Sequence, residues 1–123
     1  MSLLLDSNSL LWWLAAERLP EELFIRLRNE QPLYISLVSP WELWVKCAAG
    51  RLSLPPRFDE TLASVNLTIL RPDLADARLA ANLPMLHRDP FDRMIIAQAL
   101  NGKLTVITGD RRFRDYGVDV ILV

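Results

Sequence analysis

Short apolar runs with strand character alternate with helical stretches along this chain of 123 residues. The runs occupy residues 3–5, 34–38, 67–70, 104–108 and 118–123. Stretches with helical periodicity, most of them about ten residues long, separate the runs. This alternation predicts an α/β fold with a central, mostly parallel sheet and right-handed crossover connections.

Capping signals give the expected bounds of the helices. Pro20, followed by two acids, is typical of a helix start, and Gly50 supplies a stop signal. The predicted helices cover residues 9–16, 20–29, 39–49, 59–65, 73–83 and 91–100.

The composition favours one compact domain over residues 1–123. The chain is 51% hydrophobic with a mean hydropathy of +0.17, and a chain of this length buries roughly two-thirds of its unfolded surface. Cys47 is the only cysteine, so we expect a reducing, cytoplasmic location and a packed, inert thiol. The apolar segment 3–14 is too short to span a bilayer, and its first cation, Arg18, follows it, so we expect no signal peptide and no membrane partner.

Four acidic residues stand just beyond strand-like runs: Asp6, Glu42, Asp92 and Asp110. Because the carboxyl ends of parallel strands meet at one edge of a sheet, we expect these side chains to share one crevice. The net charge of −1 excludes a bulk positive field for nucleic acid, so an anionic partner would need a local basic patch or bound cations. Carboxylates gathered in a crevice would form a site for a hard metal ion.

Each acid also has a structural explanation. Asp6 could cap the helix that follows it, and Asp110 suits a turn. Glu42 could complete a capping box with Ser39 or form an ion pair with Lys46. The case for chemistry therefore depends on the set of acids rather than on any one of them.

The acids of the segment 87–92 divide between two roles. Asp89 precedes a proline and is better explained as a helix cap, whereas Asp92 falls in the first turn of the helix. We expect the positive helix ends near Glu42 and Asp92 to keep these two carboxyl groups ionised. His87 is the only histidine, and we interpret it as a surface or capping residue rather than a catalytic base.

A cluster of this kind needs a cation. Two bare carboxylates about 4 Å apart repel by roughly 4 kcal/mol at an effective dielectric constant near 20. Oxygen ligands without histidine or cysteine select Mg²⁺ or Mn²⁺ over Zn²⁺. Metals held in this way support in-line displacement at phosphorus, and the chain has no phosphate-binding loop, dinucleotide fingerprint or serine elbow to suggest another reaction.

Four segments resemble the motifs of PIN-domain nucleases, most closely those of VapC-type toxins. They are LLLDSN at 3–8, SPWEL at 39–43, HRDPFDRMIIAQA at 87–99 and ITGDRRF at 107–113. The resemblance covers nearly the whole chain, with the motifs in the family's order. The family most often has threonine after its first aspartate, and Ser7 keeps the hydroxyl group here.

The resemblance implies a three-layer sandwich with a central parallel sheet flanked by helices, and an RNA endonuclease dependent on Mg²⁺ or Mn²⁺. Asp6 and Asp92 match the principal metal ligands, and Glu42 and Asp110 match the other two acids of the catalytic pocket. It also implies a homodimer inhibited by a cognate antitoxin protein. Two alternatives stay open: a catalytically inactive PIN-like module that binds RNA or protein, and a phosphatase with Asp6 as covalent nucleophile.

Two groups of residues take their meaning from this resemblance. Trp12, Trp13, Trp41 and Trp44 are either buried core or part of a dimer or antitoxin surface. Three arginines after the last acid are either RNA-phosphate ligands or a solvated turn; they are Arg111, Arg112 and Arg114.

Overall fold

A computed structural model describes residues 2–30 and 32–123, and its strands form one five-stranded sheet. The strands are β1 (Leu3–Leu5), β2 (Leu33–Ser36), β3 (Thr68–Leu70), β4 (Thr105–Thr108) and β5 (Val120–Leu122). Their order across the sheet is β3-β2-β1-β4-β5, and every neighbouring pair is parallel. The predicted α/β class with helices around a central parallel sheet is confirmed.

The helices lie close to their predicted positions. They are α1 (Ser7–Ala15), α2 (Glu21–Asn29), α3 (Val38–Ala48), α4 (Phe58–Ser64), α5 (Leu74–Asn82) and α6 (Pro90–Gly102), with a 3₁₀ helix at Arg111–Tyr116. Val38, which we predicted as the end of a strand, instead begins α3, because β2 stops at Ser36 and the chain turns at Leu37. No helix within the described residues is long and apolar enough to cross a membrane.

Hydrophobic clusters cover both faces of the sheet. Side chains alternate along β1, so Leu3 and Leu5 pack with residues of α1, α2 and α4 while Leu4 packs with residues of α6 and the 3₁₀ helix. All three β1 side chains are buried, as expected for the central strand of a parallel sheet. Cys47 is exposed on α3, so the prediction of a packed thiol is wrong.

Strand register brings three polar side chains to one edge. Leu5, the last residue of β1, is level with Ile35 of β2 and Ile107 of β4. The next residues along these strands are Asp6, Ser36 and Thr108, and all three are buried. The carboxyl edge of the sheet is therefore where polar chemistry enters an otherwise apolar interior.

Candidate metal centre

Asp6 combines helix capping with a place at the carboxyl edge. Its Oδ1 accepts a hydrogen bond from the main-chain N–H of Ser9 at 2.9 Å, which caps α1. Its Oδ2 accepts a hydrogen bond from the hydroxyl of Thr108, at the end of β4. The two roles that we left open for Asp6 are therefore compatible, because each oxygen has its own neighbour.

Glu42 is buried on α3 and held through both of its oxygens. Ser7 Oγ donates to Oε1 at 2.6 Å, and Lys46 Nζ lies 2.6 Å from Oε2. The capping box with Ser39 is absent, because α3 begins one residue earlier and Leu37 is its N-cap. Ser39 Oγ is buried and has no hydrogen-bond partner among the described residues.

Asp92 comes from a helix rather than from a strand end. It lies in the first turn of α6, while Asp89 caps that helix by accepting from the N–H of Phe91 at 2.9 Å. The predicted cap at Asp89 is therefore confirmed. The expectation that Asp92 follows a strand directly is wrong, since α5 and a loop precede it.

His87 lies between two of the acids. Its side chain is buried, and its Nε2 is 2.9 Å from Asp92 Oδ2 and 2.9 Å from Asp110 Oδ2. Its Nδ1 accepts the main-chain N–H of Asp89 at 3.2 Å, so in the neutral ring the proton is on Nε2, which donates to the carboxylates. Our interpretation of His87 as a surface residue, and of a site without histidine nearby, is wrong.

Arg93 holds the segment that carries His87. Its buried guanidinium donates to the main-chain carbonyls of Leu83 at 2.7 Å, Pro84 at 3.0 Å and His87 at 3.1 Å. Tyr116 adds a second fastening, because its hydroxyl accepts from the N–H of His87 at 2.7 Å and donates to the carbonyl of Pro84 at 2.6 Å. Sequence reasoning missed both residues. The only available signal was the position of the sole histidine two residues before a helix cap.

Two of the four acids each have a basic side chain as a partner. Lys46 neutralises Glu42, and Arg112 binds Asp110 through Nε at 3.0 Å and Nη2 at 2.7 Å. Partial burial tends to raise the pKa of Asp110, but the hydrogen bonds from Arg112 outweigh it and lower this pKa below its ordinary value. Among the described residues, neither Asp6 nor Asp92 has a lysine or arginine partner.

Asp6 and Asp92, the two acids with no lysine or arginine partner among the described residues, have raised pKa values. Burial raises the pKa of Asp6, although the hydrogen bond from Thr108 opposes the change. Burial, followed by repulsion from the other carboxylates, raises the pKa of Asp92 to about 8. The expectation that the helix end keeps Asp92 ionised is therefore wrong for the metal-free protein, because desolvation and like charges outweigh the helix dipole.

The acids form the floor of a cleft of about 770 Å³ that also has basic side chains in its walls. Arg18, Lys46, Arg88, Arg111 and Arg112 line it together with the acids. One donor atom from each of His87, Asp92 and Asp110 lies within 4.8 Å of the others. The donor set and the raised pKa of Asp92 fit a divalent cation, which would relieve the repulsion among the carboxylates.

The sequence of this chain matches a known protein family. A family model described as the PIN domain matches residues 3–119. The chain belongs to the PIN domain family. No curated protein sequence matches the chain significantly.

Solved structures similar to this PIN domain come from toxin–antitoxin complexes. VapBC of Salmonella typhimurium bound to DNA has 24% sequence identity and a TM-score of 0.72, and the match covers 98% of this chain and 97% of that one. FitAcB of Neisseria gonorrhoeae has 24% identity, a TM-score of 0.68 and coverage of 97% and 96%. VapBC2 of Rickettsia felis, bound to a fragment of its promoter, has 14% identity, a TM-score of 0.73 and coverage of 99% and 98%. At these identities the likeness shows the fold.

The tryptophans of the PIN domain do not all belong to the core. Trp41 is 55% exposed and Trp44 is 42% exposed, whereas Trp12 and Trp13 are half-buried. The interpretation that all four are buried is therefore wrong.

The three arginines after the last acid differ in their surroundings. Arg111 and Arg112 line the cleft, and Arg112 is also bound to Asp110. Arg114 is exposed and lies outside the lining of the cleft. The structure therefore favours a solvated turn for Arg114 and leaves phosphate binding open for Arg111 and Arg112.

Proposed function

We propose that this PIN domain is a metal-dependent endoribonuclease that hydrolyses phosphodiester bonds and is the toxin of a type II toxin–antitoxin pair. The proposed catalytic residues and metal ligands are Asp6, Glu42, Asp92 and Asp110. The observation that carries the proposal is the convergence of four acids from separate elements in one cleft, where, among the described residues, two of them have no lysine or arginine partner.

The proposed cofactor is Mg²⁺, with Mn²⁺ as a substitute, because carboxylate oxygens suit hard cations. A bound cation would stabilise negative charge on phosphoryl oxygens and make a water molecule more acidic. Asp6 and Asp92 gain most from such an ion, since Asp6 is buried, Asp92 is partly buried, and neither has a lysine or arginine partner within the described part of the chain. These two are therefore the principal ligands in the proposal.

The chain's own hydrogen bonds orient the remaining acids. Ser7 and Lys46 hold the two oxygens of Glu42, and Arg112 donates hydrogen bonds to Asp110 through Nε and Nη2. His87 donates through Nε2 to the carboxylates of Asp92 and Asp110 and limits their rotation. Fixed ligands bind a metal with less loss of conformational entropy, so we assign a positioning role to these neighbours.

The proposed partners are an RNA substrate, a cognate antitoxin and a second copy of the chain, all in the cytoplasm. Support for the antitoxin comes from the similar fold of chains in VapBC and FitAB complexes and from the four motifs in the sequence. Copurification with the protein encoded beside this chain would test that partner. Light scattering after gel filtration would test the homodimer.

Cleavage of a panel of structured RNAs by purified protein tests the proposed activity. We expect cleavage by the wild type with Mg²⁺ or Mn²⁺, none with EDTA, and a loss of at least 100-fold in Asp92→Asn, the size of effect seen when a group that stabilises transition-state charge is removed. Asp119→Asn is the matched control, because Asp119 is exposed beyond the opposite edge of the sheet and outside the cleft. Mapping the cut ends would then narrow the substrate.

Two outcomes would contradict the proposal. Equal cleavage by the wild type and Asp92→Asn would attribute the activity to a contaminant. RNA binding that needs no metal, with no products under any condition, would instead favour the inactive binding module.

A further inference from the structure

One wall of the cleft carries a stacked pair that the proposed hydrolysis does not use. Trp12, on α1, and Arg18, just beyond that helix, both line the cleft that contains the acids. The guanidinium carbon of Arg18 lies 4.4 Å from the centroid of the Trp12 ring, within the range of a cation–π contact. Trp12 is half-buried and Arg18 is exposed, so the pair presents an aromatic and cationic surface to the cleft.

The tryptophan is placed directly against the loop that carries a proposed metal ligand. A Cβ atom added to Gly109 would lie 3.1 Å from Trp12 Cη2, a tighter contact than side chains usually make. The ring therefore packs on the main chain immediately before Asp110 because Gly109 has no side chain. A group stacked on this wall would be a close neighbour of the acids on the floor.

The main chain after α1 brings the arginine back over the ring. Ala16 has a φ of 53° and ends α1, and Arg18 has a φ of 60°. Non-glycine residues in this left-handed region cost about 1 kcal/mol or more each, and such conformations concentrate at functional sites. Arg18 makes no ion pair within residues 2–30 and 32–123, so its donors stay available to a ligand.

We propose that Trp12 and Arg18 form a platform on which an unpaired nucleobase of the RNA stacks, next to the phosphate that is cleaved. This inference rests on the proposed nuclease function and adds two residues, outside the acids, that hold the substrate. Proteins bind unpaired bases by stacking them on aromatic rings and on arginine guanidinium planes, and the bases of a duplex do not expose their faces. The arginine can also contact a phosphate of the same strand.

RNA fits this wall better than a peptide does. The platform is a guanidinium backed by an aromatic ring, its arginine forms no ion pair among the described residues, and Arg111 lines the same cleft. Stacking does not require a particular base, because every base has a π-face. The platform therefore predicts a preference for single strands over duplexes without a strong preference among the four bases.

Equilibrium binding tests the platform separately from catalysis. The probes are a fluorescein-labelled single-stranded RNA hexamer, the same hexamer as a duplex, and a hexamer of abasic nucleotides. Anisotropy would be measured in Ca²⁺, a hard cation that carboxylates also bind, and again in EDTA. The variants are Trp12→Ala, Trp12→Phe and Arg18→Ala, with Trp41→Ala as control because Trp41 is exposed outside the cleft.

We expect Trp12→Ala to weaken binding of the single-stranded hexamer by about 5- to 30-fold, the equivalent of one lost base stack. Trp12→Phe should recover most of this loss, since it restores an aromatic face. Arg18→Ala should weaken binding of the same hexamer by several-fold, and because its side chain is exposed it also serves as the variant that leaves the core intact. Trp41→Ala should have no effect, and none of the variants at Trp12 should change binding of the abasic hexamer.

Several results would overturn the platform. One is equal binding of the single-stranded hexamer by the wild type, Trp12→Ala and Arg18→Ala. Another is a Trp12→Ala variant that binds the abasic hexamer and the normal hexamer more weakly by the same factor, which would indicate contacts with phosphates alone. If Trp12→Ala and Arg18→Ala bind RNA normally but no longer bind the antitoxin, the wall would be assigned to a protein partner. A wild type that shows the expected stacking behaviour but never cleaves RNA would refute the nuclease and leave the platform standing.

Discussion

Replacing Asp92 by asparagine should stabilise the metal-free protein, and the gain should grow with pH. Asp92 is a partly buried acid on α6, its side chain is 19% exposed, and it is repelled by the neighbouring carboxylates. Asparagine has nearly the same shape and carries no charge, so the substitution removes the repulsion without opening a cavity. It also retains an oxygen that can accept a hydrogen bond from His87.

The magnitude follows from the pKa of Asp92, which rises from the ordinary 3.8 to about 8 in the folded protein. Between these values the folded state holds a proton that the unfolded state has released. Stability must therefore fall as the pH rises through this window, by about 1.4 kcal/mol for each pH unit. From pH 5 to pH 7 the wild type should lose about 2 to 3 kcal/mol of unfolding free energy relative to Asp92→Asn.

Urea denaturation of both proteins at pH 5 and pH 7, in EDTA, measures this difference. The difference in unfolding free energy between the two proteins is compared at the two pH values. Its change from pH 5 to pH 7 reports on Asp92, because the other titrating groups are common to both proteins. Repeating the pH 7 series with Mg²⁺ should stabilise the wild type in proportion to the logarithm of the Mg²⁺ concentration above its Kd and should leave Asp92→Asn almost unchanged. Asp119→Asn should follow the wild type in every buffer.

If the wild type and Asp92→Asn differ in stability by the same amount at pH 5 and pH 7 in EDTA, then Asp92 does not hold an extra proton in the folded state. The surrounding acids would then be too well solvated to repel it, and the electrostatic argument for a bound cation would fail.

Further predictions concern the residues around the acids. Ser7→Ala should weaken Mg²⁺ binding about tenfold by freeing Glu42, as loss of a neighbour that orients a ligand commonly does; calorimetric titration with Mg²⁺ measures it, and an unchanged Kd would contradict it. Arg93→Met should destabilise the fold by about 3 to 5 kcal/mol, because it leaves the carbonyls of Leu83 and His87 without their side-chain donor, whereas the carbonyl of Pro84 keeps the hydroxyl of Tyr116; a urea midpoint within error of the wild type would refute this role. Arg112→Ala should raise the pKa of Asp110, read by carbon-13 NMR titration of the carboxyl group, whereas no shift would mean that the ion pair is absent in solution.

Local sequence patterns determined most of the architecture. The apolar runs and capping residues predicted each strand and each α-helix, though not the 3₁₀ helix, to within a few residues, because side-chain periodicity and caps act over one or two turns of chain. Parallel strands then implied that Asp6 and Asp110 meet at one edge, since strand direction alone decides which ends converge. Where local patterns competed, as at Ser39 and Glu42, the capping-box interpretation failed because burial of Glu42 beside Ser7 was not visible in the segment itself.

Contacts between distant parts of the chain set the pKa values of the acids and the residues that line the cleft. Thr108 binds Asp6 across 102 positions of sequence, and His87 reaches Asp110 across 23, and no local pattern records such contacts. The pKa of Asp92 depends on how far it is buried, on Asp89 at the start of the same helix and on carboxylates from three other elements, so a helix-end rule gave the wrong sign. Local patterns were therefore enough to predict the fold and the set of acids. Long-range packing settled which acids lack a counter-charge and placed Trp12 beside them, because burial and the distances between charges exist only once the chain has folded.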